Sequence, residues 1–463
     1  MVIGAGMAGL LAATVLAECY DQVTVVDRDL LPADSRARRG VPQGRHVHAL
    51  LANGLRACEQ LLPGIATDLK AGGAVSGDVL GDGRGYFNGC RLTQTHSDLP
   101  ALGVTRPHLE LHVRNRVRAH DNIRFLTQRT VAGLIAAPGG RGVAGVRLMP
   151  SSRGDPDQAV EADLVVDASG RHSSMPRWLV DLGYDPPREE RVAIDIGYTS
   201  WFVRAPDDLL AGDLGVAVGA TPAVPRGGAL VRVEGERWLV SLAGYQGNHP
   251  PAGLDECLAF AARMVVPDIY QALATSPPLS EPARFSVRHA VRRHYERLAR
   301  FPDGLVVLGD AACVFNPIYG QGMTVAATQA LALRQFLRSV RPVTQLREAI
   351  AQASGTAWRL SVMSDRRMPW IGTGRISERV SNRYATMIFH AAQRDPRVAR
   401  AFIRVANLVQ PPQSLVHPMI AARILARGAL ASPIRPRTVS TALAAPPEHR
   451  RSTRPDSRPP GDM

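Results

Sequence analysis

The chain has 463 residues, of which 45 % are hydrophobic and 21 % charged, with 55 basic against 41 acidic side chains and a formal charge of +14. That composition excludes a disordered chain and a small disulfide scaffold, and the length exceeds what one hydrophobic core usually organises. Lys70 is the sole lysine, so the excess charge is arginine spread along the chain, and no zinc-finger or RNP-like motif accompanies it; nucleic acid is not an expected partner. Five cysteines (Cys19, Cys58, Cys90, Cys257, Cys313) contain no CxxC pair, which fits free thiols and a cytoplasmic location.

Met1–Ala17 is uncharged but lacks a basic leading segment and carries glycines at functional spacing, so it does not read as a signal peptide. Residues 1–27 read instead as strand, helix, strand: MVI, GAGMAGLLAATVLAEC and VTVVD. Only three residues precede Gly4, fewer than a central strand usually has, so a start further upstream is expected. Residues 30–103 are rich in Gly, Arg and Pro with one helical stretch near His48–Leu62; a helix near His108–Ala119 and strands near 123–126, 131–136 and 143–148 follow. The apolar run ADLVVDASG closes this part at Gly170.

From about Arg191 to Ala290 strand-like segments separated by Gly and Pro turns suggest an inserted sheet. GLVVLGD at Gly304–Asp310 returns to the style of the first unit, Val325–Leu337 reads as a helix, and residues 357–429 read as mostly helical. The stretch after Asp310 is uncharged but broken by Asn316, Pro317 and three polar or glycine positions, so no membrane span is expected. A tail from Ser432, dense in Pro, Arg and Ser, is expected to be disordered.

The fold expected is α/β: a Rossmann-like nucleotide-binding domain with an inserted, mostly antiparallel β-sheet domain and C-terminal helices. The boundaries read as 1–187 and 301–340 for the two parts of the nucleotide-binding domain, 188–300 for the sheet, 341–431 for the helices and 432–463 for the tail.

Gly4, Gly6 and Gly9, between a strand and a helix and followed by Asp27 at the end of the next strand, carry the strongest local signal. Glycines permit the tight turn and close approach to a pyrophosphate, the helix tip offers N–H donors, and the acid suits a ribose hydroxyl. This motif alone does not choose between FAD and a nicotinamide. GLVVLGDAACVFNPIYGQGM at Gly304–Met323 does: Asp310 can accept hydrogen bonds from a polyol, and the turn Pro317–Met323 enters a second helix whose tip could stabilise negative charge on a flavin ring. An Asp capping a turn after a buried strand is the plainer alternative.

These stretches, together with DLVVDASGRHS at Asp163–Ser173, span most of residues 1–335. They resemble the FAD-dependent monooxygenases of the aromatic-hydroxylase type (class A flavoproteins). RRGVPQGRHVHALL at Arg38–Leu51 and the NPIYGQGM form look closest to the branch of bacterial polyene epoxidases, with squalene epoxidases more distant. The resemblance implies that Gly4, Gly6, Gly9 and Asp27 hold the ADP half of FAD and Asp310 the ribityl chain. Pro317, Gly320, Gln321, Gly322 and Met323 would line the isoalloxazine. Arg39 and Gln43 would lie on the flavin side, and either Arg106 or Arg114 near the pyrophosphate; a solvated helix face is the alternative for the last two.

The resemblance further implies reduction by NADPH or NADH and insertion of one oxygen atom from O2 through a flavin C(4a)-hydroperoxide. Epoxidation or hydroxylation of a small apolar, polyketide- or terpenoid-like substrate follows, a chemistry typical of secondary metabolism and antibiotic biosynthesis. Where the family has a compact Asp-Gly, this chain reads Asp167-Ala168-Ser169-Gly170-Arg171, similar to prenyl reductases and halogenases. A separate flavin reductase is therefore an alternative electron source. A halogenase fits poorly: Lys70 is the sole lysine and RWLVSLAGY lacks the expected Trp pattern. The rival readings are an FAD-dependent prenyl-chain reductase and a non-catalytic lipid-binding protein on the same fold. No metal site is expected: His46, His48, His289 and His294 stand in no HxxxH or Cys/His cluster and read as structural or solvated. Cys313 reads as packing, and no catalytic side chain is assigned. Residues 415–430 offer either a peripheral membrane contact or, more simply, a helix packed on the body.

Overall fold

The computed structural model describes residues 1–150, 157–339 and 343–428, so the expected tail lies outside the described residues. The first unit is a five-stranded parallel sheet in the order Leu305–Val307, Val165–Asp167, Val2–Ile3, Val23–Asp27, Ile123–Thr127. Parallel strands covered on both faces must be apolar throughout, and VTVVD is buried at all five positions. The helix Met7–Ala17 is buried nearly all round, because the sheet lies on one side and the helices Arg106–Arg118 and Gly322–Leu337 lie on the others. The strand order reverses at Val2–Ile3, so the crevice at the carboxyl ends of the central strands opens beside Gly4 and Asp27.

The second unit is an eight-stranded sheet: Cys313–Val314, Ala283–Arg293, Glu189–Val203, Arg237–Tyr245, Arg226–Val233, Gly215–Val218, Gly83–Phe87, Cys90–Arg91. All neighbours are antiparallel except Gly215–Val218 with Gly83–Phe87. The sheet thus draws strands from residues 83–91 and 313–314 as well as from the interval read as the insertion. Period-two alternation splits its faces: Trp201, Val240 and Leu242 face the helices Leu254–Ala262 and Asp268–Ala274, while Tyr198, Ser241 and Ala243 face the first unit. These two helices were not legible among the glycines and prolines around them.

The last described segments are the helices Val343–Asp365, Ile376–Ala392, Pro396–Ala406 and Pro418–Gly428, packed through Ile388, Ala391, Val398, Ile403 and Ile424. Among the described residues, no helix is long and apolar enough to cross a membrane.

Candidate functional site

One cavity of about 940 Å³ runs between the two sheets. Its polar end is the tip of the helix Met7–Ala17. Gly4 sits at φ +99°, and a Cβ on Gly9 would fall 1.8 Å from the Gly4 carbonyl oxygen, so only glycines let the helix start this close to the strand. The first intrahelical bond is Leu10 N to Gly6 O at 2.9 Å, which leaves the N–H groups of Met7 and Ala8 at the tip. Asp27 accepts from Ala5 N at 2.6 Å and is paired with Arg38 Nη1 at 3.2 Å.

Arg38 extends this end into a buried charge network. Its Nη1 reaches Asp29 at 3.2 Å, its Nε reaches Glu110 at 3.4 Å, and Arg106 donates to Glu110 Oε1 at 2.8 and 2.6 Å. Burial would raise the Glu110 carboxyl, but Arg106 and Arg38 together hold it below its ordinary value. Burial acts against the Arg38 cation, yet Glu110, Asp27 and Asp29 outweigh it and raise its pKa.

Midway stands Asp310, on the short turn Gly309–Ala311 that follows the strand Leu305–Val307. The turn is clamped from behind by Gln329, whose side-chain oxygen accepts from Gly309 N at 2.7 Å. Burial pushes the Asp310 carboxyl up, against the opposing charges of Arg171, Arg106 and Arg293. Asp167 is fully buried and accepts from Ser169 N at 3.0 Å, Ser169 Oγ at 2.6 Å and Ser173 Oγ at 2.5 Å. It therefore holds the shape of its own loop, and Arg171 from that loop lines the cavity with its guanidinium 5.2 Å over the Phe285 ring.

The second turn is fixed by buried polar side chains. Asn316 accepts from Ile318 N at 3.2 Å and donates to Asp365 Oδ1 at 2.7 Å and to the Tyr245 hydroxyl at 2.9 Å; Tyr319 donates to Asp365 Oδ1 at 2.8 Å. Burial lifts Asp365 to about 6, against the hydrogen bonds from Tyr319 and Asn316. Beyond the turn the helix begins at Gly322, its first bond being Val325 N to Gln321 O at 3.0 Å. The far end of the cavity is lined by aromatic and aliphatic side chains around a cation, Arg367, whose guanidinium lies 4.8 Å over the Phe389 ring. Phe402 lies 5.0 Å from Phe87 and 5.3 Å from Phe389, ring centre to ring centre, with Met363 and Ile388 beside them.

The cavity wall brings together Gly4, Gly6, Asp27, Gln43, Arg106, Asp310, Pro317, Gly320, Gln321, Gly322 and Met323. It does not include Gly9, Arg39 or Arg114. Gly9 is the packing glycine, Arg39 is exposed while its neighbour Arg38 turns inward, and Arg114 is buried in the body with its Nη2 on the Pro32 carbonyl oxygen. The choice left open between Arg106 and Arg114 is thus a choice between a cavity-facing and a body-facing side. Sequence reasoning did not single out Arg38, Arg171, Gln329, Asn316 or Asp365. Arg38 was one position from a residue chosen, and Arg171 stood inside a motif already quoted; Asp365 gave no local signal.

The donor set suits an extended dinucleotide. A Cβ built on Gly6 would meet only Arg38 Nη2, at 3.9 Å, so the helix tip has room for a phosphate. Gln321 at the other end is 4 % exposed with a side-chain oxygen lacking a partner among the described residues. Two helix tips facing one cavity between a parallel sheet and a mostly antiparallel one define a Rossmann-like, sheet-capped architecture suited to a dinucleotide cofactor.

Comparison with known proteins agrees. A family model described as squalene epoxidase matches residues 236–358. Protein Rv3254 of Mycobacterium tuberculosis is 32 % identical over 442 residues, covering 88 % of this chain and 89 % of its own. The 6-methylpretetramide 4-monooxygenase of Streptomyces rimosus is 27 % identical, covering 84 % of this chain and 88 % of its own. Among solved structures, p-nitrophenol 4-monooxygenase PnpA of Pseudomonas putida DLL-E4 superposes with a TM-score of 0.61 at 16 % identity, over 88 % of this chain and 97 % of that one. The flavin-dependent brominase Bmp2 superposes at 0.64 and 14 % identity, over 88 % and 92 %, which is a likeness of fold. The chain belongs to the FAD-dependent monooxygenases of the aromatic-hydroxylase type.

Proposed function

We propose that this monooxygenase inserts one oxygen atom from O2 into an apolar polyketide- or terpenoid-like substrate, by epoxidation or hydroxylation, as in the polyene epoxidase branch. The observation that carries the reading is the continuity of the cavity, from the glycine tip and Asp27 past Asp310 to the phenylalanine-lined end. Gly4, Gly6 and the N–H groups of Met7 and Ala8 would hold the pyrophosphate, with Asp27 on the adenosine ribose and Asp310 on the ribityl chain. Arg106 stands beside that path. Pro317 and Gly320–Met323 would border the isoalloxazine, with Gln43 across the cavity. FAD, when bound, supplies the redox chemistry and the activation of oxygen. The protein's share is to fix its position, exclude water and hold the substrate at the ring. Asp365, Asn316 and Tyr319 keep the turn in place, and the helix tip at Gly322 favours negative charge there.

NADPH or NADH, directly or through a separate flavin reductase, supplies the electrons. The five free cysteines support a cytoplasmic setting. Exposed Val416, Met419 and Leu425 support a peripheral membrane contact for delivery of an apolar substrate.

The test is oxygen-dependent turnover of FAD-loaded protein with linear polyenes and phenols, comparing NADPH alone with NADPH plus a flavin reductase. Products heavier by one oxygen atom support the reading; products gaining two hydrogens under anaerobic conditions overturn it in favour of a reductase.

A further inference from the structure

His46 is 5 % exposed, lines the cavity between the rings of Tyr198 (6.1 Å) and Phe285 (5.7 Å), and has one ring nitrogen engaged. Its Nδ1 lies 2.7 Å from Ser200 Oγ, which lies 2.5 Å from Ser241 Oγ, which accepts from Val47 N at 2.8 Å. Ser200 and Ser241 are directly opposed partners of adjacent antiparallel strands, so the sheet register fixes the whole chain. Nε2 of His46 has no partner among the described residues, nor has the Tyr198 hydroxyl, although both are covered.

Counting protons assigns the tautomer. Ser241 already accepts from a peptide N–H. If Ser241 donates to Ser200 and Ser200 donates to Nδ1, every hydroxyl proton is used and the ring proton sits on Nε2. The reverse direction puts the ring proton on Nδ1 and strands two polar groups, the Ser241 O–H and the bare Nε2, where the first strands one. Burial, reinforced by Arg45, lowers the His46 pKa to about 4, so the ring is neutral at working pH. The series ends at a peptide N–H, which cannot pass a proton on, so it orients the ring and does not conduct.

We propose that His46, held by Ser200 and Ser241, and Tyr198 form a donor pair that recognises a neutral oxygen acceptor, a carbonyl or ether oxygen, on an otherwise apolar substrate. The proposal rests on the monooxygenase reading of the cavity and adds the polar handle that its substrate carries. A stranded buried donor costs free energy until a ligand accepts from it, which makes such a pair discriminate against a pure hydrocarbon.

The test uses the full-length protein and two probes with one bicyclic frame, 1-tetralone and tetralin, with binding followed by tryptophan fluorescence in the FAD-loaded protein. The expected result is that His46→Phe lowers the preference for the ketone over the hydrocarbon about tenfold while leaving tetralin affinity within about twofold, with Tyr198→Phe smaller in the same direction. Two-bond ¹H–¹⁵N spectra of ¹⁵N-histidine protein without ligand should show the proton on Nε2 and an unchanged ring from pH 5.5 to 8, and Ser200→Ala should disturb that pattern. An unchanged ketone preference in both variants, or a wild-type proton on Nδ1, overturns the proposal. Failure of the protein to bind FAD would instead overturn the monooxygenase reading, and the ligand-free spectra still decide the tautomer.

Discussion

The two ends of the cavity are built by opposite means. The polar end comes from a short stretch of chain: Gly4, Gly6 and Asp27 lie within one strand-helix-strand unit, and Arg38 follows shortly after. The aromatic end is assembled from Phe87, Phe389 and Phe402, which meet only because the strand pair at residues 83–91, at the edge of the large sheet, packs against the C-terminal helices. In the proposed reading the first presents a fixed set of donors and acids to one dinucleotide, and that requirement is local. The second must only be greasy and the right shape, which many sequences satisfy.

Changes at the polar end should therefore be costly and specific. Arg38→Ala leaves Asp27, Asp29 and Glu110 without their shared cation in a buried setting; we expect a loss of about 3–5 kcal/mol in chemical denaturation. A loss under about 1 kcal/mol would remove the network from the account.

Asp365 sharpens the comparison from the turn between the two ends. Its folded pKa, about 6, lies above the ordinary carboxylate value of about 4, so the folded state binds the proton more tightly. Its effect on stability is therefore most favourable at low pH and is lost as pH rises from about 4 through 6, on the order of 2–3 kcal/mol in total. Asp365→Asn should flatten that decline, read as the variant gaining on wild type between pH 4.5 and 7.5. A pH-independent difference between the two would contradict it.

Phe402→Ala tests the aromatic end alone. The expected outcome is about a tenfold rise in KM for an apolar substrate with FAD affinity within about twofold, whereas equal losses of both would mean that the ends are not separable. The smallest effect belongs to Arg39→Ala, which removes an exposed side chain: within about 0.5 kcal/mol in stability and no measurable change in FAD affinity.

What was legible in the sequence follows the same division. The strand-helix-strand opening, the return strand Leu305–Val307 and the turn before Gly322 announce themselves through glycine spacing and apolar runs, and the parallel sheet they build is the one expected. The sheet's outer strands at 83–91 were not legible, because GRGYF is short, glycine-rich and half-buried, and its pairing with Gly215–Val218 spans more than a hundred residues. The helix Leu254–Ala262 was hidden in the same way, by neighbours that look like turns. At the site, most residues that a local motif points to line the cavity, whereas Gly9, Arg39 and Arg114 do not, and Arg38 and Arg171 line it from within or beside those motifs without a signal of their own. Those that act by holding another element, Asn316, Gln329 and Asp365, were not legible, because each side chain's role depends on a partner brought in by tertiary packing.

In the proposed reading one flavin dinucleotide stretches from Asp27, at its adenosine end, to the turn Pro317–Met323, and leaves the phenylalanine-lined end to the substrate. Affinities of wild type and Asp27→Ala for FAD and for FMN, which lacks the adenylate, test this directly. The account predicts that the substitution weakens FAD about tenfold or more and leaves FMN within about twofold. Equal weakening of both, or no change in either, would contradict it.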